Sequence, residues 1–372
     1  MNLYQEKVQM LKHYLTILLL TCAPFFASAD YKLEIVAEGF DYPWSIAFLP
    51  DGDYLVSMRS GELRRVSASG DIGEPLGGVP ETYVAGQGGF FDIVLDPAFE
   101  LNQQVYLAFA YGTPKANSTR VVRARLTQNG LEQVEPIFTV APMKDTPAHY
   151  GGKLLFLPDG TLLITTGDGF EYREAAQDKH SQLGKIIRIN SDGSVPSDNP
   201  FADGVDGDPK VWSYGHRNPQ GLTIDPTSGI VYVHEHGPKG GDELNQILPG
   251  KNYGWPAVTY GINYSGAYVS PFQSAPGIEE PLTYWVPSIA PSGLAFYNGD
   301  AFPEWQGDVF VGALVNKEVR RVDLENGIAV NEEMLFGELG ERIREVRAAP
   351  DGFLYLLTDS DKGKIVRVTP QP

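Results

Sequence analysis

One short unit recurs six times along the 372-residue chain, and it limits the architecture more than any other feature. Each copy is an apolar run that ends in an Asp-Gly, Asp-Pro or Asn-Gly turn. A second apolar run follows, and often a third that closes on Arg-Val or Arg-Ile. The turns stand at Asp51-Gly52, Asp96-Pro97, Asp159-Gly160, Asp225-Pro226, Asn298-Gly299 and Asp351-Gly352, separated by 45, 63, 66, 73 and 53 residues. Apolar runs joined by Asp-Gly are the strongest short-range hairpin signal. Hairpin units repeated every ~40–50 residues, with loop insertions, mark propeller blades. Six copies therefore predict an all-β six-bladed β-propeller with four-stranded antiparallel blades. The runs alternate imperfectly, as expected for strands covered on both faces by neighbouring blades. The ring is expected to close by pairing Tyr31–Ala37 with the last blade near Ile365–Val368. Two β-sandwiches are the competing architecture, but they have no reason to repeat one signature six times. The 41 Gly and 28 Pro agree with a turn-rich β chain, at about 19% of residues against an average near ~12%.

Residues 1–29 read as a secretory signal peptide. Lys7, Lys12 and His13 form a basic start, Tyr14–Ala23 an apolar run, and Ala27-Ser28-Ala29 a small-x-small cleavage site. The apolar run is too short to span a membrane comfortably. Either residue 1 or Met10 serves as the start, since Met10-Leu11-Lys12-His13 already makes a sufficient basic region. The only cysteine, Cys22, lies in this segment, and a lipoprotein site would need a small residue where Thr21 stands. The expectation is one catalytic propeller domain over residues 30–372, without thiol chemistry, in a periplasmic compartment. Formal charge is −18; losing Lys7, Lys12 and Glu6 leaves −19. That field repels phosphate backbones and anionic lipid, so nucleic acid is not an expected partner.

Polar residues unusual for plain turns concentrate in five loops. Gly86-Gln87-Gly88-Gly89 allows close approach of backbone to a ligand and leaves one amide side chain to donate or accept. His149-Tyr150-Gly151-Gly152 stands ahead of a blade strand, and Thr166-Gly167-Asp168-Gly169 ends the next strand of that blade. A hairpin brings its two ends together, so His149 and Asp168 meet at one rim if that blade forms. A carboxylate that orients an imidazole makes a general base usable near neutral pH. A single histidine, though, is more often a satisfied structural group. The fourth loop is Tyr214–Gly221, dense in hydrogen-bonding side chains. The fifth, Glu235-His236-Gly237-Pro238-Lys239-Gly240-Gly241-Asp242-Glu243, precedes Asn252-Tyr253-Gly254-Trp255-Pro256. Acidic residues and exposed carbonyls in a glycine-rich loop suit a hard cation such as Ca²⁺. His216 and His236 raise zinc as an alternative, without the partner spacing a zinc site requires. Acidic loops of this kind are also commonly solvated turns.

Near the C-terminus, Lys317, Arg342 and Arg344 stand out in an acidic protein. Arg342 and Arg344 alternate on an expected strand, so both guanidiniums share a face and are placed to grip a polyanionic small ligand. The plainer alternative is salt-bridged surface, with Glu341 and Glu345 as partners.

Together these loops resemble the soluble PQQ-dependent sugar dehydrogenases, and within them the aldose sugar dehydrogenase branch. The likeness runs from Pro43-Trp44 to Thr358-Asp359 and rests on five motifs in family order. They are Gly86–Gly89, His149–Gly152, Gly215–Gly221, Glu235–Pro238 and Asn252–Pro256. The resemblance implies a six-bladed propeller with pyrroloquinoline quinone (PQQ) over the central channel on a Ca²⁺ ion. It implies that His149 is the general base for an aldose sugar oxidised at C1 to a lactone, with Asp168 as its orienting partner. Arg217 and Asn218 then contact the quinone oxygens and Gln87 is another cofactor contact. Lys317, Arg342 and Arg344 hold the cofactor carboxylates. The carbonyls of Gly237 and Pro238 bind Ca²⁺, and Glu243 with the Tyr253 carbonyl matches a further calcium site. The chain lacks the longer loops of the glucose dehydrogenases, so a monomer with broad aldose specificity is expected. The electron acceptor stays unidentified. A calcium-dependent lactonase and a non-catalytic binding propeller are the competing functions. The first has no need of three cations as an anion grip, and the second no need of His149 beside Asp168.

Overall fold

The structure, a computed structural model, describes residues 30–371, so the signal-peptide reading of residues 1–29 falls outside it. Six four-stranded antiparallel sheets follow one another around a ring. Blade 1 contains β2 (Pro43–Phe48), β3 (Tyr54–Met58), β4 (Leu63–Val66) and β5 (Ile72–Pro75). Blade 2 contains β6 (Phe90–Leu95), β7 (Gln104–Thr113), β8 (Ala116–Thr127) and β9 (Gly130–Thr139). Blade 3 has β10 (Gly151–Phe156), β11 (Leu162–Thr166), β12 (Lys185–Ile189) and β13 (Val211–Tyr214). In blade 4 the strands are β14 (Pro219–Ile224), β15 (Val231–Glu235), β16 (Asp242–Ile247) and β17 (Thr283–Trp285). Blade 5 has β18 (Pro291–Phe296), β19 (Val309–Ala313), β20 (Glu318–Glu325) and β21 (Ile328–Leu335). Blade 6 combines β22 (Ile343–Ala348), β23 (Leu354–Thr358) and β24 (Gly363–Pro370) with β1 (Tyr31–Phe40) from the other end of the chain. The expected closure is present: Leu33 lies opposite Val368 and Ala37 opposite Ile365.

Every one of the six repeated turns joins the first and second strands of its blade. The carboxylates of Asp51, Asp96, Asp159, Asp225 and Asp351 each accept the backbone N–H two residues on. That local bond is why Asp recurs at these positions. The second strands of blades 1, 3, 4, 5 and 6 are buried along their whole length, which explains the missing alternation. Apolar clusters form seams between neighbouring blades. One joins Leu55 and Leu63 of blade 1 to Ile93 and Leu107 of blade 2, and another joins Tyr232 of blade 4 to Leu294 and Val311 of blade 5.

First strands touch first strands around the ring, and β22 touches β2 to complete it. On these inner strands, buried Lys153 pairs with Glu345, and Arg347 pairs with Asp92 (2.5 Å). Lys153 Nζ also lies 4.6 Å from the Trp44 ring centre.

Strand parity places the chemistry. In sequentially paired antiparallel blades, the turns between first and second strands fall on one face of the ring. The loops between second and third strands, and the blade-to-blade connections, fall on the other. Gly86–Gly89 precedes β6, His149 precedes β10, Asp168 follows β11, and Arg217-Asn218 precede β14. Gly237-Pro238 follow β15, Lys317 separates β19 from β20, and Arg342 precedes β22. All therefore belong to the face opposite the repeated turns.

Candidate active site

On that face lies a cavity of about 280 Å³. Its walls include Gln87, His149, Arg217, Asn218, Arg342 and Arg344, which the sequence had singled out from four separate loops. Arg59, Trp44 and Asp359 line it as well.

His149 is buried and sits at positive φ (+50°), a conformation unusual for a residue with a side chain. Its backbone N–H donates to Gln87 Oε1 (2.8 Å). Gln87 thus spends its carbonyl oxygen on holding the histidine and keeps only its NH₂ for other partners. Imidazole Nδ1 lies 2.6 Å from Asp168 Oδ1. Asp168 is fully buried and accepts from Trp255 Nε1 through Oδ2 (2.7 Å) and from the Phe170 N–H through Oδ1 (2.8 Å). Burial works to raise the Asp168 carboxyl, but the His149 hydrogen bond and Arg217 outweigh it, and its pKa is lowered. Burial pushes the His149 pKa down, further than the Asp168 carboxylate pulls it up. The pair is therefore carboxylate plus neutral imidazole near pH 7. The carboxylate holds the proton on Nδ1, which leaves the Nε2 lone pair to take a proton.

Arg217 Nη1 donates to the carbonyls of His236 (3.1 Å) and Gly237 (2.6 Å), and its guanidinium lies 5.2 Å from the Trp255 ring centre. Behind it runs a buried chain: Ser213 Oγ to His216 Nε2 (2.9 Å), His216 Nδ1 to Glu235 Oε1 (2.8 Å), and the Arg217 N–H to Glu235 Oε2. His216 is thus an enclosed support for the Arg217-Asn218 corner, which answers the zinc alternative for that residue. Asn218 Oδ1 accepts the Gly151 N–H (3.2 Å). The sequence missed Trp255 and Glu235 as supports although both lie in quoted motifs, because only the folded contacts show what they hold.

Arg342 and Arg344 do share a face, but their partner is neither Glu341 nor Glu345. Both bind Asp359, Arg342 through Nε (2.9 Å) and Arg344 through Nη2 (3.0 Å). Glu341 pairs instead with Lys364, and Glu345 with Lys153. Strand alternation explains the difference: Glu345 points away from Arg342 and Arg344, toward Lys153 on an inner strand. Burial raises and the two guanidiniums lower the Asp359 carboxyl, and the guanidiniums win. Lys317 is exposed and does not line this cavity. It borders an adjoining depression that shares Arg342 and Asp359 with the cavity.

A second, much smaller space of about 10 Å³ is enclosed by Arg217, Glu235, Gly237, Glu243, Tyr253 and Thr259, among others. It has room for one water-sized occupant. Glu243 lies directly across the strand pair from Glu235. Burial and that neighbouring carboxylate push the Glu243 carboxyl well above its usual range. At Gly237 an added Cβ would lie 2.3 Å from the Gly240 and Gly241 carbonyl oxygens, so only glycine fits. Among the described residues, no three His, Cys, Asp or Glu side chains converge on one metal position.

Comparison with known proteins places the chain. It is 44% identical to the uncharacterised protein slr1608 of Synechocystis, over 91% of this chain and 86% of that one. It is 39% identical to the aldose sugar dehydrogenase YliI of Escherichia coli, over 95% of this chain and 97% of that one. The PQQ-bound structure of an aldose sugar dehydrogenase from Streptomyces coelicolor superposes with a TM-score of 0.76 at 29% identity, covering 92% and 99% of the two chains. The glucose/sorbosone dehydrogenase family model matches residues 40–367, and the chain belongs to that family.

Proposed function

We propose that the protein oxidises aldose sugars at C1 to lactones, with PQQ and Ca²⁺ as cofactors, broad aldose specificity and a periplasmic location reached through the residue 1–29 signal peptide. One observation carries the reading. A buried His149–Asp168 pair faces the same cavity as Arg217, Arg342 and Arg344 in a protein of charge −18. A hydrolase or a binding propeller needs no such cluster of cations, and family membership favours a dehydrogenase.

The residues present fit both cofactors. PQQ is a tricarboxylate, and guanidiniums meet carboxylates with two parallel donors. Glu243 and Glu235, opposite each other across the β15–β16 pair and both lining the small space, supply carboxylate oxygens of the kind Ca²⁺ takes. The carbonyls of Gly237 and Pro238 are the oxygen donors for the Ca²⁺ beside the cofactor, while Glu243 with the Tyr253 carbonyl would serve a further calcium site. When bound, PQQ supplies the hydride acceptor and the cation polarises it.

The chain's own part is acid–base and positioning. His149 Nε2 takes the anomeric hydroxyl proton as the C1 hydride leaves, so the cyclic sugar loses two electrons and two protons, one of them within the hydride, and C1 becomes the lactone carbonyl, which water later opens. Asp168 holds the imidazole in the tautomer that accepts at Nε2. Arg217 and the Asn218 amide aim donors at oxygen where negative charge develops. Gln87 fixes the base through its backbone N–H. Arg342 and Arg344 hold the anionic end, and Lys317, from the adjoining depression, adds positive charge beside it. The protein acts as a monomer and passes electrons to an acceptor still to be identified. Adding PQQ and Ca²⁺ to purified protein and following dye reduction with an aldose panel tests the proposal; no reduction with any aldose or alcohol overturns it.

A further inference from the structure

The geometry points to Arg59 as a direct cofactor-carboxylate contact, a third guanidinium of the anion grip alongside Arg342 and Arg344. This rests on the cofactor reading above and assigns a residue that no motif in the sequence brought forward.

Three observations meet at Arg59. It lines the same cavity as His149, Arg342 and Arg344, whereas Lys317 does not. Among the described residues it forms no ion pair, unlike Arg342 and Arg344, which share Asp359. Its only side-chain hydrogen bond among the described residues runs from Nη2 to the Gly86 carbonyl. A guanidinium has five N–H donors, so most of this one's capacity is left for another acceptor.

The surroundings are built to hold it there. The Arg59 N–H donates to the Tyr42 carbonyl (3.0 Å), and the Tyr42 N–H donates to the Ser360 carbonyl (2.9 Å), next to Asp359. Blade 1 is thereby tied to the loop that carries the partner of Arg342 and Arg344. A Cβ at Gly89 would lie 2.5 Å from the Arg59 carbonyl oxygen and 2.7 Å from its Cγ. The Gly86-Gln87-Gly88-Gly89 loop therefore wraps closely around the stem of Arg59, and its glycine at position 89 exists partly to admit it. The cations thus form one arc over neighbouring blades: Arg342 and Arg344 on blade 6, Arg59 on blade 1. That arc faces the His149 and Arg217 side of the cavity, which suits a flat ligand with carboxylates at one end and a reactive centre at the other.

The test is a PQQ titration of the full chain in the presence of Ca²⁺, read by ligand absorbance and protein fluorescence. It compares wild type with Arg59→Gln and Arg59→Lys. Arg59→Gln keeps an N–H donor for Gly86 but deletes the charge. It should weaken PQQ binding roughly ten- to hundredfold. Arg59→Lys should recover part of the loss, and the melting temperature of ligand-free protein should stay at the wild-type value in both. Arg59→Gln affinity within twofold of wild type overturns the assignment. Equal loss in both variants, with a lowered ligand-free melting temperature, overturns it too, because that pattern reports a support for the Gly86 loop. Wild type that fails to bind PQQ overturns the cofactor reading itself, and the Arg59 contact with it.

Discussion

Replacing Asp168 by Asn tests the dyad more sharply than removing His149. Both oxygens of Asp168 face donors: Trp255 Nε1–H at Oδ2, and the Phe170 N–H together with His149 Nδ1 at Oδ1. An asparagine must turn its NH₂ toward one side. Toward Trp255 it sets two donors against each other in a dry site, because an indole nitrogen cannot accept. Toward His149 the ring can adapt by moving its proton to Nε2 and accepting at Nδ1. Each orientation opposes one N–H, the indole or that of Phe170, but only toward His149 does the amide gain an acceptor, Nδ1; that arrangement leaves fewer donors unmet, and it places a proton on the nitrogen that must act as base. Asp168→Asn should therefore approach the cost of losing the base outright, roughly 10²–10⁴ in kcat. At 1.36 kcal/mol per tenfold, this is about 3–5 kcal/mol of barrier. Asp168→Ala, which leaves either tautomer open, should retain more activity than Asp168→Asn.

The assay is kcat and kcat/KM for one aldose across pH, with saturating PQQ and Ca²⁺. In wild type the His149 pKa is lowered, so kcat/KM should hold as pH falls through 6.5 and drop only below it. Asp168 raises the His149 pKa, so removing its charge should move that acid limb to still lower pH in Asp168→Ala. Asp168→Asn within tenfold of wild type, or Asp168→Ala more damaged than Asp168→Asn, would refute the tautomer argument.

Two further outcomes follow from the buried charges. The Glu243 carboxyl is raised, so a bound proton competes with the metal. Ca²⁺ affinity and the Ca²⁺-induced gain in melting temperature should both rise with pH, while Glu243→Gln should lose most of that gain. A pH-independent gain would remove Glu243 from the ligand set. At the ring axis, Lys153→Met leaves the Glu345 carboxylate with the Val346 N–H (3.1 Å) and, as its one remaining cationic contact among the described residues, Arg347 Nε at 3.4 Å. Denaturant unfolding should show a loss of about 3–5 kcal/mol, largely restored by Lys153→Met/Glu345→Leu. A loss below about 1 kcal/mol would mean the pair is not holding the inner strands.

What the sequence makes legible depends on how local each feature is. Five of the six turns are set by an Asp that binds the backbone two residues on, so with Asn298-Gly299 they read directly from the chain and number the blades correctly. The nearness of His149 to Asp168 also follows from one hairpin, β10 and β11. Partnerships between blades are a different matter. Arg342 and Arg344 choose Asp359, fifteen or more residues away, because the β22–β23 pair brings strand ends together while Glu345 faces the axis. Arg59 carries no local signal at all. It becomes visible only when closure of the ring sets blade 1 beside blade 6. Lys317 shows the converse, since its charge drew notice in the sequence while its side chain opens into the neighbouring depression.

The division of the cavity between blades has a physical cause. For the proposed reaction the base must be neutral and dry, and His149 obtains both from the seam between blades 2, 3 and 4, where Asp168, Trp255 and Arg217 close around it. An anion grip must keep its charge, and it needs open donors. Arg344 is only partly buried and Arg342 is 44% exposed at the side chain, with one carboxylate, Asp359, between them. Two cations and one anion leave a net positive edge, and Arg59 increases it. Crowding these cations around His149 would depress its pKa further and take proton affinity from the base. With the proposed grip on blades 6 and 1, the cations that act most on the imidazole are Arg217 and Lys144. The propeller permits this because its six loops of one face converge on a common centre from different directions.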